Sequence, residues 1–218
     1  MFLSRITLDV TKRATLIALQ NPAKFHGAVE QAFEPRSVRP LWRLDTLNGQ
    51  YYLLLLSAER PCLTGLAAQF GTADTPETRD YTPLLGRIVP GSRWQFRLHA
   101  NPTYSTYNKN GRGKVHACTM TCRPEGSWRG TSEPKTQIDW LIGQTQKHGF
   151  AVEQNEFNIT RSQWYAFSKG TGERVKLLGV TYEGMLTVTD AEKFQAALTS
   201  GLGRGKAYGM GLLTVMHI

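Results

Sequence analysis

Two hydrophobic rhythms alternate along this chain, and their order restricts the fold more than any other feature. Phe2, Ser4, Ile6 and Leu8 fall on one side of an opening segment, with Leu3, Arg5, Thr7 and Asp9 on the other. Apolar residues at every second position are the pattern of a strand. Asn21-Pro22 then supplies an N-cap and a first-turn proline, and Phe25, Val29, Ala32 and Phe33 recur at helical spacing. Together they predict a helix from about Pro22 to Phe33. Asn48-Gly49, set between Leu41 to Asp45 and Tyr51 to Ser57, is a hairpin signal. Leu63 to Phe70 has mixed helical character, and residues 93–99 alternate again, with Trp94, Phe96 and Leu98 against Arg93, Arg97 and His99. The first half therefore reads β-α-β-β-α-β, the ferredoxin-like order.

The second half repeats the order without repeating the sequence. Residues 101–114 are polar, carry three turn signals and tyrosines, and read as a basic hairpin or loop from which Val115 to Met120 returns as a strand. Ile138, Leu141, Ile142 and Thr145 give residues 134–148 a helical face, with Ser132, Glu133 and Pro134 as its cap region. Phe150 to Ile159 and Trp164 to Ser168 are short strand candidates, and Val175 to Val188 alternates with β-branched residues. Thr189-Asp190 caps a helix with Phe194, Ala197 and Leu198 inward, and Gly211 to Met216 is the closing strand. A chain of 218 residues can hold two cores of about a hundred residues each. The expectation is an α+β protein of tandem ferredoxin-like (RRM-like) domains, each βαββαβ, divided as 1–100 and 101–218. Helices on one face of each sheet would leave the other faces open, and two such platforms side by side make a groove.

Charge narrows the partners. The chain is 40% hydrophobic and 20% charged, which argues against general disorder, and its formal charge is +9 with a pI of about 9.6. That balance favours a polyanion, nucleic acid before an anionic membrane. Residues 91–135 hold 8 basic and 2 acidic residues, so two thirds of the excess sits in one fifth of the chain. A solvated basic surface is one reading; interleaved glycines and aromatics favour a groove for nucleic acid. Cys62, Cys118 and Cys122 are odd in number and form no CxxC, so Cys118-x3-Cys122 suits inward strand positions about as well as a metal site. Charges come too early in the N-terminal segment for a signal peptide. The apolar run Leu53 to Leu56 is far too short to span a bilayer, so a cytoplasmic protein with no membrane partner is expected.

Two places can carry chemistry. His26 lies at the edge of the apolar stripe of its helix, and an imidazole with an ordinary pKa near neutrality can act as base or acid. It is also simply a partly exposed helix histidine. In RNA a base needs no outside nucleophile: it deprotonates the 2′-OH, which attacks the adjacent phosphorus and expels the 5′-oxygen. Lys24, Arg36 and Arg39 are close enough in sequence to stabilise the charge that develops. The second place is the run from Gly201 to Gly211, with five glycines in eleven residues and Arg204 and Lys206 among them. Backbone N–H groups around Gly203 and Gly205 would let a phosphate backbone approach closely. The run matches neither the nucleotide phosphate loop nor the dinucleotide fingerprint, since it follows a helix and precedes a strand. His99, His116, His148 and His217 fall in no ligand spacing, and the carboxylates do not cluster as a two-metal site requires.

Several stretches together resemble a known family. They are Met1-Phe2-Leu3-Ser4-Arg5, the helix bearing His26, Tyr52 to Ala58, Phe96-Arg97-Leu98-His99-Ala100-Asn101-Pro102, Gly179 to Val188, and Gly201 to Leu213. In this set and order the chain is similar to the CRISPR-associated repeat-processing endoribonucleases of the CasE type, subunits of the Cascade complex. The resemblance implies tandem ferredoxin-like domains that bind the hairpin of a CRISPR repeat transcript. It implies cleavage at the hairpin's 3′ base by 2′-OH attack, with no metal or other cofactor, leaving a 2′,3′-cyclic phosphate or its opened product. The product would stay bound, other Cascade subunits would be partners, and the isolated chain would be a monomer. His26 corresponds to the family's catalytic histidine. Some members pair it with a tyrosine three residues earlier, where this chain has Ala23, and Lys24 stands next in line to assist. Lys109, Arg112 and Lys114 correspond to the basic hairpin inserted along the RNA duplex. Gly203, Arg204, Gly205 and Lys206 look like the family's loop near the cleavage site. The competing expectation is a non-catalytic structured-RNA-binding subunit of a ribonucleoprotein, in which His26 is incidental.

Overall fold

The computed structural model describes residues 1–33, 39–72, 76–108, 111–121, 135–168 and 172–218. Its first strand, β1 (Phe2–Thr7), is followed by two helices, α1 (Arg13–Gln20) and α2 (Pro22–Glu30). A hairpin of β2 (Leu41–Leu47) and β3 (Gln50–Ser57) leads to α3 (Thr64–Phe70), and β4 (Glu77–Asp80) completes an antiparallel sheet ordered β2-β3-β1-β4. The hairpin turns at Asn48 (φ 51°) and Gly49 (φ 76°), the left-handed pair that a two-residue turn between twisted strands requires. Asn21 caps α2 by accepting from the Ala23 N–H at 3.2 Å, with Pro22 in the first turn. This helix stops at Glu30, short of the expected Phe33, because the Ala32 N–H turns back to the Val29 carbonyl in a tighter final turn. Ala32 and Phe33 are buried nonetheless.

After the single turn α4 (Thr82–Leu85) come β5 (Arg93–Ala100) and a separate hairpin, β6 (Thr103–Asn108) with β7 (Gly111–Ala117). Then follow α5 (Gln137–Thr145), β8 (Phe150–Ala151), β9 (Phe157–Ser168), β10 (Arg174–Val188), α6 (Ala191–Ser200) and β11 (Leu213–His217). The second sheet runs β11-β5-β10-β8, with β9 also on β10. One edge of β10 is taken by β5, so β8 and β9 share the other and act as one interrupted edge strand. Thr136 caps α5 in a reciprocal capping box with Asp139; the expected cap at Ser132, Glu133 and Pro134 lies outside the described residues.

One strand assignment is corrected. Residues 93–100 do not close the first sheet, as a division at residue 100 supposes, but sit inside the second between β10 and β11. The true fourth strand, Glu77–Asp80, lies in a stretch that reads as a polar connection. It is a four-residue edge strand whose residues are mostly exposed, so hydrophobic alternation is silent there.

Helices cover one face of each sheet and enclose separate cores. Ile6, Phe25, Val29, Trp42, Leu53 and Phe70 anchor the first, and Phe96, Leu98, Val180, Tyr182, Leu186 and Phe194 the second. A small cluster of Leu41, Leu56, Tyr81 and Leu212 joins the halves. Beside it Arg43, 1% exposed, donates to the carbonyls of Arg97 (2.8 Å) and Leu212 (2.9 Å) and to Thr214 Oγ1 (2.8 Å). Its charge is met by Asp45 through two contacts at 2.7 and 2.8 Å, as a buried guanidinium needs.

Candidate active site

Phe25 and Val29, both fully buried, fix the rotation of α2 about its axis and leave His26 at the boundary, with 35% of its side chain exposed. There it faces a cleft of about 610 Å³ where the two halves meet. The first half supplies His26, Val29, Glu30 and Arg39 to its lining, and the second supplies Lys206 and Ala207. That volume falls in the ordinary range of ligand sites. His26 Nε2 lies 3.3 Å from Glu30 Oε1, one helical turn along.

The glycine run brings the second half to this helix. It leaves α6 at Gly201, and the Leu202 N–H bonds to the Gly211 carbonyl at 2.9 Å. The Gly211 N–H in turn reaches the His99 carbonyl at 2.6 Å. Between them a 3-10 turn, Lys206–Tyr208, is bracketed by Gly205 (φ 83°) and Gly209 (φ 77°), conformations that favour glycine. A side chain on Gly209 would start 2.6 Å from Trp42 Cζ3, so only glycine lets the turn lie against β2. Tyr208 is thereby set 6.4 Å from the His26 ring, centroid to centroid, and 5.0 Å from Phe167. Lys206 Nζ donates to the Ser200 carbonyl at 2.6 Å, at the C-terminal end of α6 where a cation is favoured, and burial pulls its pKa down.

The structure thus brings His26, Arg39 and Lys206 together. Lys24 is exposed and two residues before His26, about 200° around the helix, and it does not line the cleft. Gly203 packs over Trp140, where an added Cβ would come within 2.9 Å, and Gly205 against Met210. These glycines serve close packing as well as any approach of a phosphate. Arg204 is exposed and pairs with Asn101 in an isolated bridge. The next residue, Pro102, accepts from the Cys118 N–H at 3.0 Å and roots the β6–β7 hairpin beside the glycine run. Lys114 is exposed on β7, which also carries Arg112; Arg36 and Lys109 lie outside the described residues. Glu30 and Tyr208 are site neighbours that the sequence reading did not single out. The i,i+4 spacing of His26 and Glu30 was a usable signal; nothing local pointed to Tyr208.

A smaller cavity of about 190 Å³ lies between the halves and includes Trp42, Tyr51, His99, Arg161 and Tyr165. His99 Nδ1 is 2.9 Å from Thr181 Oγ1, and burial first, then Arg43 and Arg161, pushes its pKa down to about 4. Cys118 is a core thiol whose pKa burial pushes up to about 12; Cys122 lies outside the described residues. Among the described residues, no group of three or more His, Cys, Asp or Glu is placed to hold a metal ion. No helix among them is long and apolar enough to cross a membrane.

Fold and site together define a duplicated α/β protein with a histidine and two cations in the cleft between its halves. The chain belongs to the CRISPR-associated protein family, whose model, described as CRISPR associated protein, matches residues 1–217. It is similar to the CRISPR-associated endoribonuclease Cse3 of Thermus thermophilus, 28% identical over 234 aligned positions and 99% of both chains. It is also similar to the Cascade subunit CasE of Escherichia coli, 27% identical over 75% of this chain and 73% of that one. A structure of the endoribonuclease Cse3 bound to a 19-nucleotide RNA superposes with a TM-score of 0.77 at 25% identity, covering 99% of this chain and all of the other. A Thermus thermophilus Cse3 structure with an RNA representing a pre-cleavage complex gives 0.74 at 26%, covering 99% and 98%. The mixed α/β architecture is therefore that of the duplicated ferredoxin-like Cse3 group.

Proposed function

We propose that this protein is a metal-independent endoribonuclease that binds the hairpin of a CRISPR repeat transcript and cuts at its 3′ base. We read each half as a βαββαβ unit, the first ending before Arg93 and the second beginning there. The observation that carries the function is the cleft in which His26, Arg39 and Lys206 converge from both halves. Whole-length similarity to an RNA-bound endoribonuclease supports the substrate class.

His26 acts as general base on the 2′-OH of the nucleotide before the cut. The oxygen attacks the adjacent phosphorus, the bond to the 5′-oxygen breaks, and that oxygen takes a proton from water and leaves as a 5′-hydroxyl. The other product ends in a 2′,3′-cyclic phosphate. Arg39 and Lys206 face the extra negative charge on the phosphoryl oxygens in the transition state. The β6–β7 hairpin, with Arg112 and Lys114, grips the duplex through phosphates, and other Cascade subunits receive the protein with its product.

Repeat RNA is incubated with the protein in excess chelator, beside the same RNA carrying a 2′-deoxy at the scissile nucleotide. The first is cut and the second is not. His26→Ala lowers the cleavage rate by at least about a hundredfold, the usual contribution of a general base, while RNA affinity changes little. Binding of the cognate repeat without any cutting would instead identify a non-catalytic RNA-binding subunit.

A further inference from the structure

We infer that Tyr208 is a positioning residue for His26, its ring fixing the orientation of the imidazole in the cleft. The inference rests on the reading of His26 as general base. An imidazole one-third exposed on a helix surface turns readily about its side-chain torsions, and a base that must meet one 2′-hydroxyl loses rate with each wrong rotamer. Two groups narrow the choice. Glu30 Oε1 stands 3.3 Å from Nε2, and the Tyr208 ring lies 6.4 Å from the imidazole, tilted by 59°. That is the spacing and tilt of an interacting ring pair.

Tyr208 is itself held from three sides. Its N–H bonds to the Gly205 carbonyl at 2.8 Å, and the Gly209 N–H closes the turn onto Lys206. Gly209 seats that turn against Trp42 in the first half. On the far side Phe167, 8% exposed, meets Tyr208 at 5.0 Å with a 60° tilt. Phe167 belongs to the part of β9 and β10 that runs beyond the end of β5, since the β5 pairing of β10 begins only at Val180. At the end of this overhang the Ser168 carbonyl accepts from Asn21 Nδ2 at 3.4 Å, and Asn21 is the cap of the helix that carries His26. One ribbon thus reaches both the start of α2 and the ring that faces its histidine. A surface tyrosine needs none of this.

Single-turnover cleavage, RNA affinity and the imidazole NMR resonances of His26 are compared in Tyr208→Phe, Tyr208→Leu and Tyr208→Ala, each first checked for a native unfolding transition. Tyr208→Leu keeps most of the volume and guards against a collapse of the turn in the alanine variant. Tyr208→Ala and Tyr208→Leu are expected to lose about five- to tenfold in kcat, the scale of one oriented aromatic contact, with KM and affinity little changed. Their His26 resonances broaden or shift, and Tyr208→Phe restores both rate and resonances. Wild-type cleavage with unmoved resonances in the leucine variant overturns the proposal. So does a loss confined to KM, or a phenylalanine variant as poor as leucine, which would put the hydroxyl on the RNA instead. If His26→Ala cuts at the wild-type rate, the general-base reading falls, while the resonances still decide whether Tyr208 orients the ring.

Discussion

The imidazole of His99 lies between the two sheets, with Thr181 on its Nδ1 and the cations Arg43 and Arg161 nearby; Asp45 opposes them weakly. Its folded pKa of about 4 is below the ordinary 6.5, so the neutral ring is the folded form. Above pH 6.5 neither the folded nor the unfolded chain protonates it, and stability is complete. As pH falls from 6.5 toward 4, the unfolded chain takes up a proton that the folded one refuses, and about 3 kcal/mol is lost. Urea unfolding at pH 7, 5.5 and 4.5 tests this, with His99→Gln as control. The wild-type slope over that interval should be steeper than the variant's; equal slopes would remove His99 from the account. A single residue type therefore stands in two settings here, a neutral ring held between the sheets by Thr181 at 99 and a half-exposed ring at the rim of the cleft at 26.

At the scale of elements, the β6–β7 hairpin forms its own two-stranded sheet, rooted at Pro102 next to the Asn101–Arg204 bridge. If its cations meet phosphates, replacing Lys109, Arg112 and Lys114 with Ala lowers the slope of log affinity against log salt by roughly two to three. Cleavage at saturating RNA should persist, because the His26 cleft is built elsewhere. An unchanged slope in filter binding across several salt concentrations would move the duplex contact to another surface. Most elements announced themselves in the sequence: Asn48-Gly49 its turn, Asn21-Pro22 a helix start, Thr189-Asp190 another, and 93–99 a clean alternation. Alternation says that a strand exists but not which sheet it joins, and β5 lies in the second sheet although its place in the chain suits the end of the first. An edge strand such as β4 has no apolar rhythm to read. For the site, His26 and Arg39 follow from residue type and nearness in sequence and Lys206 from the charge within the glycine run, and the three share a cleft. Lys24 was named on the same grounds and does not, because two residues on a helix point apart. Tyr208 and Phe167 meet through packing between residues far apart in the chain, which no local pattern carries.

The cleft exists only while the two halves keep their mutual position, since His26 and Arg39 come from one and Lys206 and Ala207 from the other. Arg43 is the most buried polar group holding that junction. It bonds two carbonyls and a hydroxyl of the second half while Asp45 balances its charge. Arg97 extends the link, 3.6 Å from Asp45 and 3.0 Å from Glu183. Arg43→Ala leaves Asp45 with only the longer contact to Arg97 and the Arg97 and Leu212 carbonyls without this donor, and removing one member of a buried ion pair costs about 3–5 kcal/mol. Denaturant titration should show that loss. Below the transition, where the variant is folded, cleavage should fall more than RNA affinity, because the hairpin and Arg204 belong wholly to the second half while the cleft spans both. A variant that loses less than about 1 kcal/mol, the cost of an exposed pair, would make the apolar cluster of Leu41, Leu56, Tyr81 and Leu212 the real junction. Equal losses of binding and cutting would mean that RNA, too, is gripped across both halves.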